Sequence, residues 1–307
     1  MKTVTLLLQG GLGNQMFQYA FARSLVLRNG GKLRISRRFL NGDTFGRSYS
    51  LDRLNIPDNV SLMTKSEELI AHSKIYMAGK IHGLLRKLKG LERSFYSDGF
   101  IFIYVYDFDK YIPEIMNFKN DNGEIIVKGY FQSEKYFHDY RSELKKEFQV
   151  LTPPSPENEA LINEISGCES VCVHVRRGDY LKLKQWADIC DYEYYFRAMS
   201  YISEKVSKPV FYIFSNSHDD ISWIKENWNF SGFISVKYID MNNPDYEELR
   251  LMYSCRHFII ANSSFSWWAA YLSENPEKII CSPSKWTNEK KGIYLPEWKI
   301  INCERNE

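Results

Sequence analysis

The segment Val4–Leu25, VTLLLQGGLGNQMFQYAFARSL, sets a strand, a glycine turn and a helix in succession. Val4–Gln9 is a short, mostly apolar run, Gly10, Gly11 and Gly13 break it, and Phe17, Ala20, Phe21, Ser24 and Leu25 then recur at helical spacing. Neither common phosphate loop fits. Counted from Gly11, a dinucleotide fingerprint would need glycine where Met16 stands, and a P-loop would need Lys after Gly13, where Asn14 and Gln15 follow. Taken alone, the stretch is a tight turn between strand and helix.

Outward from this opening, the second half of the chain alternates regularly. Apolar strands are expected at Val171–Val175, Val210–Phe214, Phe233–Ile239, His257–Ala261 and Lys278–Cys281, separated by helices at Tyr192–Val206, Asp220–Asn227, Tyr246–Ser254 and Ser264–Leu272. Such alternation makes a parallel, doubly wound sheet. The first half is less regular, with strands expected at Val4–Leu8, Lys32–Ile35, Phe100–Tyr106 and Glu124–Lys128. Pro153-Pro154-Ser155-Pro156 is the only proline cluster and denies the backbone helix and ladder hydrogen bonds. It sets the expected boundary between residues 1–152 and residues 157–307, two Rossmann-like α/β domains facing across a cleft.

Ligands of parallel sheets bind beyond the carboxyl ends of the strands. Val175 is followed by Arg176-Arg177-Gly178-Asp179, Phe214 by Ser215-Asn216, Ile239 by Asp240, Ala261 by Asn262-Ser263-Ser264, and Cys281 by Ser282-Pro283. Asn262, Ser263 and Ser264 open a helix, where they either cap it or hold a phosphate on its free amides. Arg176 offers a rigid fork of donors for a diphosphate, whereas Arg177 points elsewhere, toward a structural carboxylate. His174, inside its strand, is by default a core histidine, with ligand contact as the alternative.

The composition narrows the partners. The 307 residues are 44% hydrophobic and 25% charged with a net charge of +2, too nearly neutral for a dedicated nucleic-acid binder. Met1-Lys2-Thr3 leads straight into a strand with no signal-like apolar segment, so a cytoplasmic protein is expected. The six cysteines show no C-x-x-C pairing and are read as reduced and mostly buried. Within Lys80–Leu91, helical spacing puts Ile81, Leu84, Leu85, Leu88 and Leu91 on one face, with Lys80, Arg86, Lys87 and Lys89 around the remainder. This face either packs on its own domain or touches anionic lipid.

His174-Val175-Arg176-Arg177-Gly178-Asp179-Tyr180 resembles the signature of the α-1,2-fucosyltransferases. Gly10–Ala20, Ala261–Ala270, Cys190–Tyr195 and Pro283–Trp286 resemble further blocks of that family, in the same order. The resemblance implies a GT-B fold, GDP-fucose as donor, transfer with inversion to the 2-hydroxyl of a galactoside glycan, and no metal or other cofactor. It also implies donor contacts from Gly11, Gly13, Asn14, Gln15, Ser215, Asn216, Glu248, Asn262, Ser263, Ser264 and Phe265, and catalytic roles for Arg176, Asp179 and His174. Asn216 stands where the family commonly has an acid, and Glu248 where it usually has Asp. Asp179 is either the base or the group that orients Arg176.

Two other functions compete. Asp107-Phe108-Asp109 is a D-x-D of the kind that holds a divalent ion with a nucleotide sugar, although its reading as a solvated strand end is simpler. A sugar- or nucleotide-binding protein without catalysis would share the architecture. An NAD-linked oxidoreductase lacks its glycine fingerprint here.

Overall fold

The computed structural model describes residues 2–40, 46–92, 94–96, 102–117, 123–178, 180 and 184–303. The chain divides into two compact units, Met1–Leu151 and Thr152–Glu307. In the first, strands β1 (Thr3–Leu7), β2 (Lys32–Ser36), β3 (Val60–Leu62), β4 (Phe95–Tyr96), β5 (Phe102–Tyr104) and β6 (Glu124–Lys128) form one sheet in the order β3-β2-β1-β6-β5-β4. All neighbours are parallel except β4 and β5. Helix α1 (Leu12–Asn29) follows β1 and buries fourteen of its eighteen residues, which makes it a core helix.

Helix α2 (Lys65–Lys89) starts in a capping box, where Thr64 and Glu67 each satisfy the other's backbone amide, and stops at Gly90 with a left-handed φ of 65°. The helical stretch expected over residues 80–91 is therefore the end of a longer helix, and Leu91 lies past it. Ala71 and Ile75 of α2 pack on Leu7, Met63 and Ile126. Helix α3 (Arg141–Glu147) is tied to α1 by a buried ion pair: Arg23 meets Glu147 at 2.7 Å, and the Tyr19 hydroxyl donates to the same carboxylate at 2.6 Å. Burial and that carboxylate push the Tyr19 pKa far up, so the hydroxyl stays a donor.

The second unit begins with α4 (Pro156–Ser166), whose Ser155 cap and first-turn proline suit a helix start. Its sheet consists of β7 (Ser170–His174), β8 (Val210–Phe214), β9 (Ser235–Tyr238), β10 (His257–Ile259), β11 (Ile280–Pro283) and β12 (Lys299–Ile301), all parallel, in the order β9-β8-β7-β10-β11-β12. Helices α5 (Tyr192–Lys205), α6 (His218–Asn227), α7 (Asp245–Tyr253) and α8 (Ser264–Leu272) connect them. The third-second-first-fourth-fifth-sixth order reverses direction between β7 and β10, which opens a crevice at their carboxyl ends.

Two adjacent tyrosines of α5 hold that point. Tyr195 donates to the His174 carbonyl at 2.9 Å and Tyr194 to the Ile260 carbonyl at 2.6 Å, while Asp191 caps the helix on the Tyr194 amide. Both rings are fully buried. The expected elements of this half are all present within a few residues, whereas α4 and β12 lacked a counterpart in the sequence reading.

Two substitutions test these supports. Glu147→Gln leaves the Arg23 charge buried against a neutral amide and is expected to cost about 3–5 kcal/mol of stability in urea unfolding. A loss below about 1 kcal/mol would show that the ion pair does not hold α3 to α1. Tyr195→Phe strips a donor from a buried carbonyl and is expected to cost about 1–3 kcal/mol, with no change in far-ultraviolet circular dichroism. An unaltered unfolding midpoint would remove Tyr195 from the support of β7.

Candidate active site

On the rim of the second unit, β7 ends and Arg176 and Arg177 part company. Arg177 stacks on Trp223 of α6, 3.3 Å from the ring centroid, and its Nε lies 3.8 Å from Asp220. Asp220 also accepts from the Gly178 amide at 3.1 Å. Arg176 has other partners: its Nη1 donates to Asn216 Oδ1 at 3.0 Å, and its guanidinium lies 5.0 Å from the Tyr180 ring centroid. Gly178 has φ +25°, and a Cβ there would come within 2.7 Å of Asn216 Nδ2, so glycine lets the turns after β7 and β8 close up. Asp179 lies outside the described residues.

His174 is 2% exposed, and burial, with help from Arg176, holds its pKa near 3. It is neutral at physiological pH. Its ring lies 6.0 Å from Phe265, and its Nδ1 has no hydrogen-bond partner among the described residues.

Several polar side chains expected at a ligand are occupied by the framework. Ser215 donates to the Val175 carbonyl at 2.8 Å. Asn262 donates to the carbonyls of Trp286 and Trp186, at 3.0 and 3.3 Å, and its own carbonyl accepts from Tyr180. Ser263 caps α8 by accepting from the Phe265 amide at 3.3 Å. Ser264 and Phe265, in the first turn of α8, remain partly exposed.

A cavity of about 360 Å³ lies past β8 and β9, lined by Ser215, Asn216, His218, Asp240, Asn243 and Glu248 among others. Burial pushes the Glu248 pKa up to about 7 although Arg176 pulls it down, so near pH 7 this carboxyl is poised between its two forms. Asp240 pairs with His218 at 2.9 Å.

In the first unit the glycine turn is built from behind. Gly10 takes φ +79°, and Gly11 is the N-cap of α1. Gln15 donates to the carbonyls of Gly10 and Ser48, at 2.8 and 2.7 Å, and accepts from the Ser50 amide, so both ends of its amide serve the loops. Gln18 holds the Gln9 amide and carbonyl in the same manner. Asn14 accepts from Gln132 at 2.7 Å, and the other amide atom of Gln132, the buried Oε1, has no partner among the described residues. Gly13 is buried inside α1. Sequence reasoning missed Gln132, since a lone glutamine after a strand carries no local signal.

Asp107-Phe108-Asp109 forms a turn just past β5, with the Phe108 carbonyl accepting from the Gln132 amide at 2.8 Å. Among the described residues, no three His, Cys, Asp or Glu side chains are grouped to hold a metal ion. A groove of about 920 Å³ lies along α2 and the carboxyl ends of β2, β5 and β6, with Phe39, Tyr76, Tyr104, Tyr106, Arg38 and Lys128 in its wall. Lys128 Nζ sits 4.3 Å from the Phe39 ring centroid, and desolvation lowers its pKa. All six cysteines are free thiols, with Cys172, Cys255 and Cys281 buried and Cys168, Cys190 and Cys303 half-buried.

The chain is 33% identical over 293 residues to the alpha-1,2-colitosyltransferase of Escherichia coli, covering 93% of each protein. It is 29% identical over 191 residues to the galactoside 2-alpha-L-fucosyltransferase Sec1 of Mus musculus, covering 57% of this chain and 51% of that one. A solved structure of an Arabidopsis thaliana FUT1 variant in complex with GDP superposes with a TM-score of 0.50 at 14% identity, over 91% of this chain and 70% of that one, a likeness of fold. The sequence model of glycosyl transferase family 11 matches residues 3–302. The chain therefore belongs to glycosyl transferase family 11 and is a glycosyltransferase of the two-domain α/β, GT-B class.

Proposed function

We propose that this enzyme moves L-fucose from GDP-β-L-fucose to the 2-hydroxyl of a terminal galactose in a glycan, with inversion and without a metal ion. The observation that carries the reading is the division of labour after β7. Arg177 is fixed on α6, and Arg176 is aimed by Asn216 beside the crevice that the strand order opens next to the start of α8.

In the reaction the bond from the anomeric carbon to the β-phosphate oxygen breaks while the galactose 2-hydroxyl oxygen bonds that carbon from the opposite face. GDP leaves with the electron pair, and the hydroxyl proton passes to a base. Negative charge grows on the β-phosphate, where a guanidinium fork and the start of α8 at Ser264 are suited to receive it. The cavity past β8 and β9 suits the nucleoside, since Glu248 and Asp240 can accept the paired N–H donors of a guanine edge. Gln15, Ser215, Asn262 and Ser263 serve by holding the loops of their own units. The aromatic and cationic groove along α2 suits the acceptor glycan. Asp179 either takes the proton or orients Arg176.

A second donor is favoured by the 33% identical colitosyltransferase. Colitose is fucose without its 3-hydroxyl, so the same site chemistry would serve it. Incubation with GDP-fucose or GDP-colitose, β-galactosides and excess EDTA, followed by mapping of the product linkage by NMR, decides. The expected product is an α-1,2-linked fucosyl galactoside formed at undiminished rate in EDTA. Transfer of colitose alone would replace the donor, and activity lost on chelation and restored by Mn²⁺ would move the reading to the D-x-D class.

Arg176→Lys keeps the charge and loses the fork. It is expected to lower kcat by about 2–4 kcal/mol in barrier, roughly 30- to 1,000-fold, with little change in acceptor KM. Asp179→Asn, measured beside it, should abolish transfer with GDP affinity intact if Asp179 is the base, and weaken GDP as well if it orients Arg176. Near-normal turnover in folded Arg176→Lys would remove Arg176 from the mechanism, and unchanged rates in Asp179→Asn would sink both of its roles.

A further inference from the structure

Helix α2 has a second apolar face that its own domain does not cover. Ala71 and Ile75 face inward onto the core of the first unit. On the far side, Ile70, Met77, Ile81, Leu84 and Leu88 line up at spacings of seven, four, three and four residues, about 27 Å along the axis. They are 56%, 59%, 64%, 62% and 73% exposed. Monomeric soluble proteins seldom leave so continuous an apolar stripe in water.

Charge tells what covers it. Between Leu69 and Leu91 the sequence has five basic side chains, Lys74, Lys80, Arg86, Lys87 and Lys89, and no acidic one, in a chain whose net charge is +2. A second copy seated on this stripe would bring lysines against lysines. Lys74, at the repeat position between Ile70 and Met77, is already paired with Glu124 at 3.0 Å, but Lys80 and Lys87 flank the seam, where a paired helix needs opposite charges. An anionic lipid surface matches both properties: leucines enter the acyl boundary while the long basic side chains reach the headgroups. Among the described residues, no helix is long and apolar enough to cross a membrane, so α2 would lie in the interface plane.

We infer that the outward face of α2 docks this enzyme on anionic membrane. The inference stands on α2 alone, independent of which donor and acceptor the site takes.

The full chain is tested by cosedimentation with vesicles of phosphatidylcholine, alone or mixed equally with phosphatidylglycerol, at low and high salt. Binding is expected only to the mixed vesicles and is expected to weaken as salt rises. Lys87→Gln with Lys89→Gln should lower the partition coefficient about 25-fold, roughly fivefold for each charge. Leu84→Gln with Leu88→Gln should lower it at least about tenfold. Both double variants should keep the wild-type circular dichroism and thermal transition. Failure of the wild type to sediment with mixed vesicles at low salt, or binding as strong as wild type by both double variants, would overturn the inference. So would a lipid-free dimer that the leucine substitutions convert to monomer, since a second copy would then own the face.

Discussion

Tyr194 and Tyr195, neighbours on one buried turn of α5, donate to carbonyls at the ends of two adjacent parallel strands, that of His174 in β7 and that of Ile260 just past β10. Everything on the rim of the second unit depends on that pair. Parallel strands all end on the same side, and the strand order changes direction between the paired strands β7 and β10, so the two ends at the switch point are the two that the tyrosines hold. A buried carbonyl that loses its donor leaves a desolvation cost of its own, which is why hydroxyls rather than phenyl rings suit these positions.

The site illustrates how few polar atoms in such a rim face outward. Ser215, Asn262 and Ser263 spend their hydrogen bonds on strand ends, indole-bearing loops and the α8 cap. In the first unit Gln15 and Gln18 do the same for the glycine turn, one from either side. The arginine pair shows the principle at its sharpest. Successive side chains leave a strand end in different directions: Arg177 meets the Trp223 face and Asp220, while Arg176 meets Asn216 and the Tyr180 ring.

Helix α2 combines two tasks that its single sequence has to satisfy. Its inner face completes the core and borders the aromatic groove, and its outer face carries the leucine stripe with its basic margins. The capping box at Thr64 and the left-handed Gly90 fix where it begins and ends, so the stripe keeps one register over its whole length.

Local pattern alone was enough for the strand–turn–helix opening, the alternation of the second half and the residue that follows each strand, because those features depend on side-chain period and on turn chemistry within a few residues. Short β3 and β12 escaped it, since three-residue strands carry less than two full periods of alternation. The partners of Gln15, Asn262 and Ser215 were beyond its reach as well. Their acceptors, the Ser48, Trp286 and Val175 carbonyls, lie 33, 24 and 40 residues away in the chain. Periodicity also displayed the apolar face of α2 without telling which side of the helix would be covered. Leu7, Met63 and Ile126 decided that by packing on Ala71 and Ile75, and burial is a property of what distant segments bring together rather than of any stretch of sequence.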